Sequence, residues 1–419
     1  MKQKPSSQWS SLDNAAKIFP CTSNKRDTKV FRFICELVEP VRPDLLQQAL
    51  DRALEDFPIY RSVMAKGLFW YYLERTDRPA LVQPEQDPPC ARLYDRNVKS
   101  LLFQVSYHHC RINLEMYHAL ADGTGGMTFF RTMVCYYLGL CQGQACVDCG
   151  PLTAASSTQK EDDSFQKYYT GGRSAPTKGP KAYRIRGAKT AEDRLKVIGG
   201  AMPVDAVIKL AHAHGTTVTL FLAALLLCSV EKSMSEKDKR HPVVTAVPVD
   251  LRRYFPSQTI RNFFSVVNVG VDFRQVHGLE EVAACLDEQL KSALTRENLE
   301  RRLNKLMALE RNPAIRLIPL ALKDPVMRFF YRLSDNACTV SLSNLGRVDL
   351  PEPFRAMVRQ FEVFVSTDKL QMCVCSYGNT LCADFSSAFA ATDVQMEFFR
   401  SLTAMGVPVE ISANRFEEE

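Results

Sequence analysis

The stretch from Met116 to Gly126 reads Met-Tyr-His-Ala-Leu-Ala-Asp-Gly-Thr-Gly-Gly, and it constrains the fold of this chain more than any other. Upstream, Ile112, Leu114 and Met116 alternate with Asn113, Glu115 and Tyr117, the two-residue period of a strand with one buried face. Downstream, Met127, Phe130, Val134, Tyr137 and Leu138 recur at three- and four-residue steps, which predicts a helix with one apolar face. Between them lies a glycine-rich turn, where backbone can bend sharply and come close to a ligand. His118 therefore stands at a strand end, with Asp122 four residues further on. A histidine so placed can offer one ring nitrogen to a cleft, and an unperturbed pKa near 6.5 suits proton transfer at neutral pH. The spacing alone also fits a hydrogen-bonded structural pair.

Two observations favour chemistry. No Gly-x-Ser-x-Gly elbow, Walker loop or Gly-x-Gly-x-x-Gly fingerprint occurs in the chain. In addition, Tyr-His-Ala-Leu-Ala-Asp-Gly resembles the His-x-x-x-Asp-Gly motif of the condensation-domain and chloramphenicol-acetyltransferase-like superfamily, particularly its alcohol acetyltransferase branch. Leu12 to Pro20 resembles the opening of that branch. Pro248-Val249-Asp250-Leu251-Arg252 through Asn262-Phe263-Phe264 resembles its central motif, and Ser341 to Gly346 its C-terminal one. Where many condensation domains carry two adjacent histidines, the first position here is Tyr117, a departure that disfavours amide formation more than ester formation.

The resemblance implies an α/β fold of two similar lobes with mixed sheets and a tunnel at their interface, His118 sitting midway along it. It implies an acyltransferase that moves an acyl group, expected to be acetyl, from acyl-CoA to a small-molecule alcohol. His118 would be the general base, and no bound cofactor is expected, acyl-CoA being a co-substrate. A single neutral imidazole can take the hydroxyl proton and return it to the departing thiolate, so no acyl-enzyme is required. Oxyanion donors at the matching positions are Ser343 and Asn344, with backbone N–H groups of Asp122-Gly123-Thr124; a polar strand end turning at Gly346 is the alternative for that motif. Relatives pair the aspartate with an arginine. Arg252 is the first candidate for Asp122 and Arg61 the second. An acyl carrier protein is the alternative donor partner, and a non-catalytic acyl-CoA-binding protein of the same fold the other alternative.

At 419 residues the chain exceeds what one hydrophobic core usually serves. We expect an N-terminal lobe over 1–165, a linker or crossover over 166–195 and a C-terminal lobe over 196–419. A net charge of +6 is a weak argument for nucleic acid, and no nucleic-acid signature accompanies it. The basic N-terminus lacks the apolar stretch of a secretory signal, and the longest apolar run, Val218 to Val230, is shorter than the roughly 20 residues of a span. It reads as a buried helix. Fourteen cysteines without regular spacing fit a reducing cytosol. The Cys146-x-x-Cys149 pair has no second partner, so no metal site is expected.

Further elements follow from period and punctuation. Helices are expected over Pro43 to Phe57, Ala201 to His214 and Leu279 to Leu309, the last long or broken, and over Val394 to Met405. Strands are expected at Phe69–Leu73, Leu101–Tyr107, Val243–Val249, Val266–Phe273, Cys338–Leu345, Phe361–Ser366, Leu370–Tyr377 and Thr380–Phe385. His108 and His109 fall at a hairpin turn, and His212 and His214 flank a helix end, so none of the four is given a catalytic role. From Gly150 to about Gly187 the apolar period is lost, which reads as a partly mobile linker. Its basic residues Arg173, Lys178, Lys181, Arg184 and Arg186, with Lys189 beyond, are either solvated charge or contacts for a cofactor carrying several phosphates.

Overall fold

The computed structural model describes residues 9–144, 156–171 and 181–414. The Cys146-x-x-Cys149 pair, Arg173 and Lys178 lie outside the described residues. Two mixed sheets dominate, each with its own apolar core. The first has five strands in the order Val358–Val365, Val30–Leu37, Arg111–Tyr117, Phe103–His108 and Val82–Pro84. Helices Pro43–Asp56 and Gly123–Cys141 pack against each other beside it, burying Leu46, Leu50, Phe130 and Val134. The second has seven strands in the order Phe264–Val271, Val243–Asp250, Val340–Arg347, Leu370–Tyr377, Thr380–Ser387, Lys196–Pro203 and Glu410–Ala413. Val218–Lys232 is the central helix over it, buried along nearly its whole length because its sequence is apolar on every side. Helices Gly278–Ala293 and Asp393–Ala404 flank it.

The sheets do not follow the halves of the chain. Strand Val358–Val365 lies within the 196–419 segment, yet it pairs antiparallel with Val30–Leu37 at the edge of the first sheet, with Phe361 opposite Cys35. Residues 156–171, expected as linker, form two short helices, Ser157–Glu161 and Ser164–Lys167. They are anchored: the Lys160 carbonyl accepts from the Ile260 N–H at 2.9 Å, and Phe165 is buried against Phe263.

The strand before His118 differs from expectation in one respect. Asn113 and Glu115, at its polar positions, are as buried as Leu114. A buried carboxylate needs a cation and hydrogen bonds. Glu115 accepts from Arg32 Nε at 2.9 Å and from the Cys90 N–H at 2.6 Å, while the Arg32 guanidinium also reaches Glu85. The strand is thus covered on both faces. Pro203 likewise ends a strand, Lys196–Pro203, rather than opening a helix; the helix starts at Val204 with Pro203 as its cap. Leu279 to Leu309 is broken into Gly278–Ala293 and Arg296–Arg311, the second capped by the Thr295 hydroxyl.

No single helix among the described residues is long and apolar enough to cross a membrane. Helices Val204–Ala213 and Val218–Lys232 are jointly apolar enough, but they bend by 79° at their junction, and the second is buried in the core of the seven-stranded sheet.

Candidate functional site

Four separated stretches of sequence meet around His118. Its own backbone N–H donates to the Lys29 carbonyl at 2.8 Å, which ties the end of strand Arg111–Tyr117 to the start of strand Val30–Leu37. Phe19 stacks on the imidazole with centroids 4.6 Å apart. Phe31 meets it edge-on at 5.3 Å and Phe264 tilts against it at 5.6 Å. These rings strip water from the imidazole. Burial therefore pushes its pKa below the ordinary histidine value, against the opposing pull of the Asp122 charge.

The orientation of the ring is set by Asn262. Its Nδ2 donates to the His118 carbonyl at 3.0 Å and lies 3.3 Å from the Asp13 carboxylate. Both are acceptors, so the amide NH2 must face them and the amide oxygen must face His118. That oxygen is 3.2 Å from His118 Nδ1. A carbonyl oxygen can only accept, so Nδ1 carries the proton and the lone pair is left on Nε2. A neutral imidazole with a free Nε2 is the form a general base needs. Asp13 is itself buried, and burial holds its carboxyl up at about 6 despite the Arg261 charge beside it.

Asp122 is turned away from His118. Its carboxylate receives Arg252 through two N–H···O contacts, Nη1 to Oδ2 at 2.9 Å and Nη2 to Oδ1 at 3.2 Å. It also accepts from the Gly125 N–H at 2.9 Å, capping helix Gly123–Cys141, and from the Phe263 N–H at 2.8 Å. Arg252 is equally engaged, with Asp250 and the Thr259 and Arg261 carbonyls as further acceptors. The carboxylate thereby fastens the His118 loop to the segment that carries Asn262. Arg61, the second candidate, is exposed and does not reach Asp122. Its neighbour Tyr60 does the work instead, donating its hydroxyl to the Ile260 carbonyl at 3.0 Å.

The glycines after Asp122 serve close approach rather than sharp bending, since they lie within the first turn of the helix. A Cβ on Gly125 would stand 1.9 Å from the Ile260 carbonyl oxygen, and one on Gly123 would stand 2.8 Å from Leu345 Cδ2. The Ser341–Gly346 motif thus abuts the helix N-terminus through Leu345. Asn344 is held in place, its Nδ2 donating to the Thr219 hydroxyl at 2.8 Å and its Oδ1 accepting from the Gly346 N–H at 2.8 Å. The Ser343 hydroxyl has no partner among the described residues and lies one residue from Asn344 in a half-buried strand. Tyr117, at the position of the missing first histidine, is buried, hydrogen-bonded to the Ser23 hydroxyl at 2.9 Å and stacked on Tyr94. His108 and His109 are exposed.

A cavity of about 520 Å3 includes none of the residues around His118; it is lined by Lys181, Arg184, Arg186, Lys189, His241 and Lys369 among others. Asp368, on the cavity wall, follows closely on Ser366, whose hydroxyl accepts from the Val30 N–H at 3.1 Å next to Lys29.

Asn262 belongs to the central sequence motif, which by itself assigns it no role. Its contact spans 144 residues of sequence, and only the identity of the motif could have flagged it. We expect Asn262→Ala to lose roughly 10- to 100-fold in kcat, because the ring is no longer held in one orientation. Asn262→Asp should shift the acid limb of the rate profile upward, since a carboxylate beside Nδ1 favours the imidazolium. A rate and pH profile matching wild type in both variants would remove Asn262 from the account.

Residues 203–392 match the family model described as the phthiocerol/phthiodiolone dimycocerosyl transferase C-terminus. Among solved structures with this fold, TRI3 trichothecene 15-O-acetyltransferase from Fusarium sporotrichioides is 9% identical, with 96% of each chain covered and a TM-score of 0.63. TRI101 of F. sporotrichioides, complexed with coenzyme A and T-2, is 12% identical over 96% of this chain and 99% of that one, with a TM-score of 0.62. The first condensation domain of the CDA synthetase is 15% identical over 94% of this chain and 95% of that one, with a TM-score of 0.59. Among curated protein sequences, none matches.

Proposed function

We propose, from the premise that this chain belongs by fold to the condensation-domain and chloramphenicol-acetyltransferase-like acyltransferase superfamily, that it transfers an acyl group from acyl-CoA to an alcohol. The observation that carries the reading is the Asn262 contact, which fixes the tautomer of the neutral ring with its lone pair on Nε2, while burial favours that neutral form. In this reading residues 1–165 and 196–419 supply the two lobes, the second lending the first the strand Val358–Val365, and the substrate tunnel runs along their seam past His118.

His118 Nε2 takes the hydroxyl proton as the alcohol oxygen attacks the thioester carbonyl. The C–O bond forms, the C–S bond breaks, and the imidazolium returns its proton to the coenzyme A sulfur. The developing oxyanion is met by the Ser343 hydroxyl and by the N–H groups of Gly123 and Thr124, which open helix Gly123–Cys141 and favour negative charge there. The basic residues Lys181, Arg184, Arg186 and Lys189 suit the phosphates of the donor, which is the observation favouring coenzyme A over a carrier protein. Condensation from a carrier-bound donor remains the second reading on the strength of the condensation-domain neighbour.

Direct attack excludes an acylated protein. Burial pushes the Cys21 thiol up to about 11 and that of Cys373 up to about 12, away from the activated thiolate an acyl-enzyme would need. Incubation with acyl-CoA and no acceptor should leave the intact protein mass unchanged. A stoichiometric acyl adduct would overturn the direct-attack mechanism.

A further inference from the structure

Helix Leu320–Asp335 has its polarity reversed. Its inward side is charged and clamped: Lys323 Nζ donates to the Phe69 carbonyl at 3.0 Å and sits 3.4 Å from the centre of the Trp70 ring. Asp324 accepts from the Tyr71 hydroxyl at 2.7 Å, and Arg328 Nε donates to the Cys21 carbonyl at 3.0 Å. Its outward side is apolar. Leu322 is 65% exposed, Val326 54%, Phe329 59%, Phe330 63% and Leu333 51%. At 100° per residue these positions fall in one stripe about 100° wide, running the length of the helix. Leu317, just before the helix, is 71% exposed. Scattered exposed apolar residues need no explanation, but a continuous stripe of them does.

The two acids of the helix point away from the stripe: Asp324 is buried, and Asp335, its last residue, is half-buried and paired with Lys369 at 2.7 Å. Arg332 on the helix and Arg316 shortly before it are exposed. A second copy of this chain docking face to face would bring like charges together. An apolar stripe of Leu, Val and Phe with only cations at its rim matches an anionic lipid surface instead.

We infer that helix Leu320–Asp335 is an interfacial anchor that lies on an anionic bilayer, with Phe329 and Phe330 entering the acyl boundary. The helix also adjoins the site. Tyr331 accepts from Lys29 Nζ at 2.8 Å, and the Lys29 carbonyl receives the His118 N–H at 2.8 Å. The anchored face therefore sits on the His118 side of the molecule. The inference does not depend on the acyl-transfer reading.

The test is co-sedimentation of the full chain with vesicles of phosphatidylcholine alone and of phosphatidylcholine mixed with phosphatidylglycerol. Wild type should bind the mixed vesicles, and less so at high salt. Phe329→Ser with Phe330→Ser should lower partitioning at least roughly tenfold, because two rings no longer leave water. Arg316→Glu with Arg332→Glu should lower it several-fold on the mixed vesicles only. All four positions are exposed, so the variants should retain the wild-type melting temperature and the rate on a water-soluble acceptor. Wild type that stays in the supernatant with both vesicle types would overturn the inference, as would phenylalanine variants that bind like wild type. Self-association, or capture of an acidic carrier protein, that is lost in the phenylalanine variant without any vesicle binding would equally overturn it.

Discussion

His118→Ala should fold as wild type and lose roughly 10² to 10⁴ in turnover, the usual share of a general base. The fold should survive because the ring contributes walls rather than an anchor: the tie to Lys29 is made by the backbone, and Asn262 keeps its bond to the residue 118 carbonyl. Turnover should collapse because, among the described residues, the nearby carboxylates are engaged elsewhere: Asp122 is saturated by Arg252 and two backbone amides, and Asp13 lies behind Asn262. The pH profile carries a second signature. Since burial among Phe19, Phe31 and Phe264 lowers the His118 pKa, the base stays neutral to a lower pH than a free imidazole would. The acid limb of kcat/KM should accordingly lie below the ordinary histidine range near 6.5. An alanine variant with near wild-type rates would remove His118 from the chemistry.

Asp122→Ala should cost about 3–5 kcal/mol of stability, because it leaves the Arg252 guanidinium in the interior without its main counter-charge. That is a large part of the stability of an ordinary domain. Activity should fall with it, as the loop carrying His118 loses its fastening to the Asn262 segment. Thermal or denaturant unfolding of Asp122→Ala, Arg252→Ala and the double variant separates this from a catalytic role. The double should cost clearly less than the sum of the singles. Additive losses, or a fully stable Asp122→Ala protein that fails only in turnover, would put the carboxylate in a different role.

Much of this was legible because the site is built from the chain's strongest local signals. The alternation before His118, the apolar period after it and the Asp-Gly start of a helix are local, and local rules read them correctly. Arg252 could be named because a buried carboxylate needs a cation and one motif offered it. Arg61 was the wrong alternative, since sequence shows that a residue lies near but not which side chain turns inward; there it is Tyr60.

What escaped was non-local or inverted. Asn113 and Glu115 read as a solvent face because polar residues usually are one; the Arg32 pair that covers them comes from another strand. Strand Lys196–Pro203 was missed because Gly199 and Gly200 weaken a strand pattern, and here they exist to admit Asp384 and Phe399. Strand Val358–Val365 was anticipated as a strand, but its partner in the other sheet is a tertiary choice. Helix Leu320–Asp335 has Pro325 inside it and its apolar residues outside, so a search for a core-facing stripe passes over it.

The most direct test of the central claim is thiol release from acetyl-CoA with a panel of alcohols, for wild type and His118→Ala side by side. The account predicts alcohol-dependent release with an equal amount of ester in wild type, and neither in the variant. Release that ignores the alcohol, release that survives His118→Ala, or turnover seen only when the acyl group is presented on a carrier protein would contradict it.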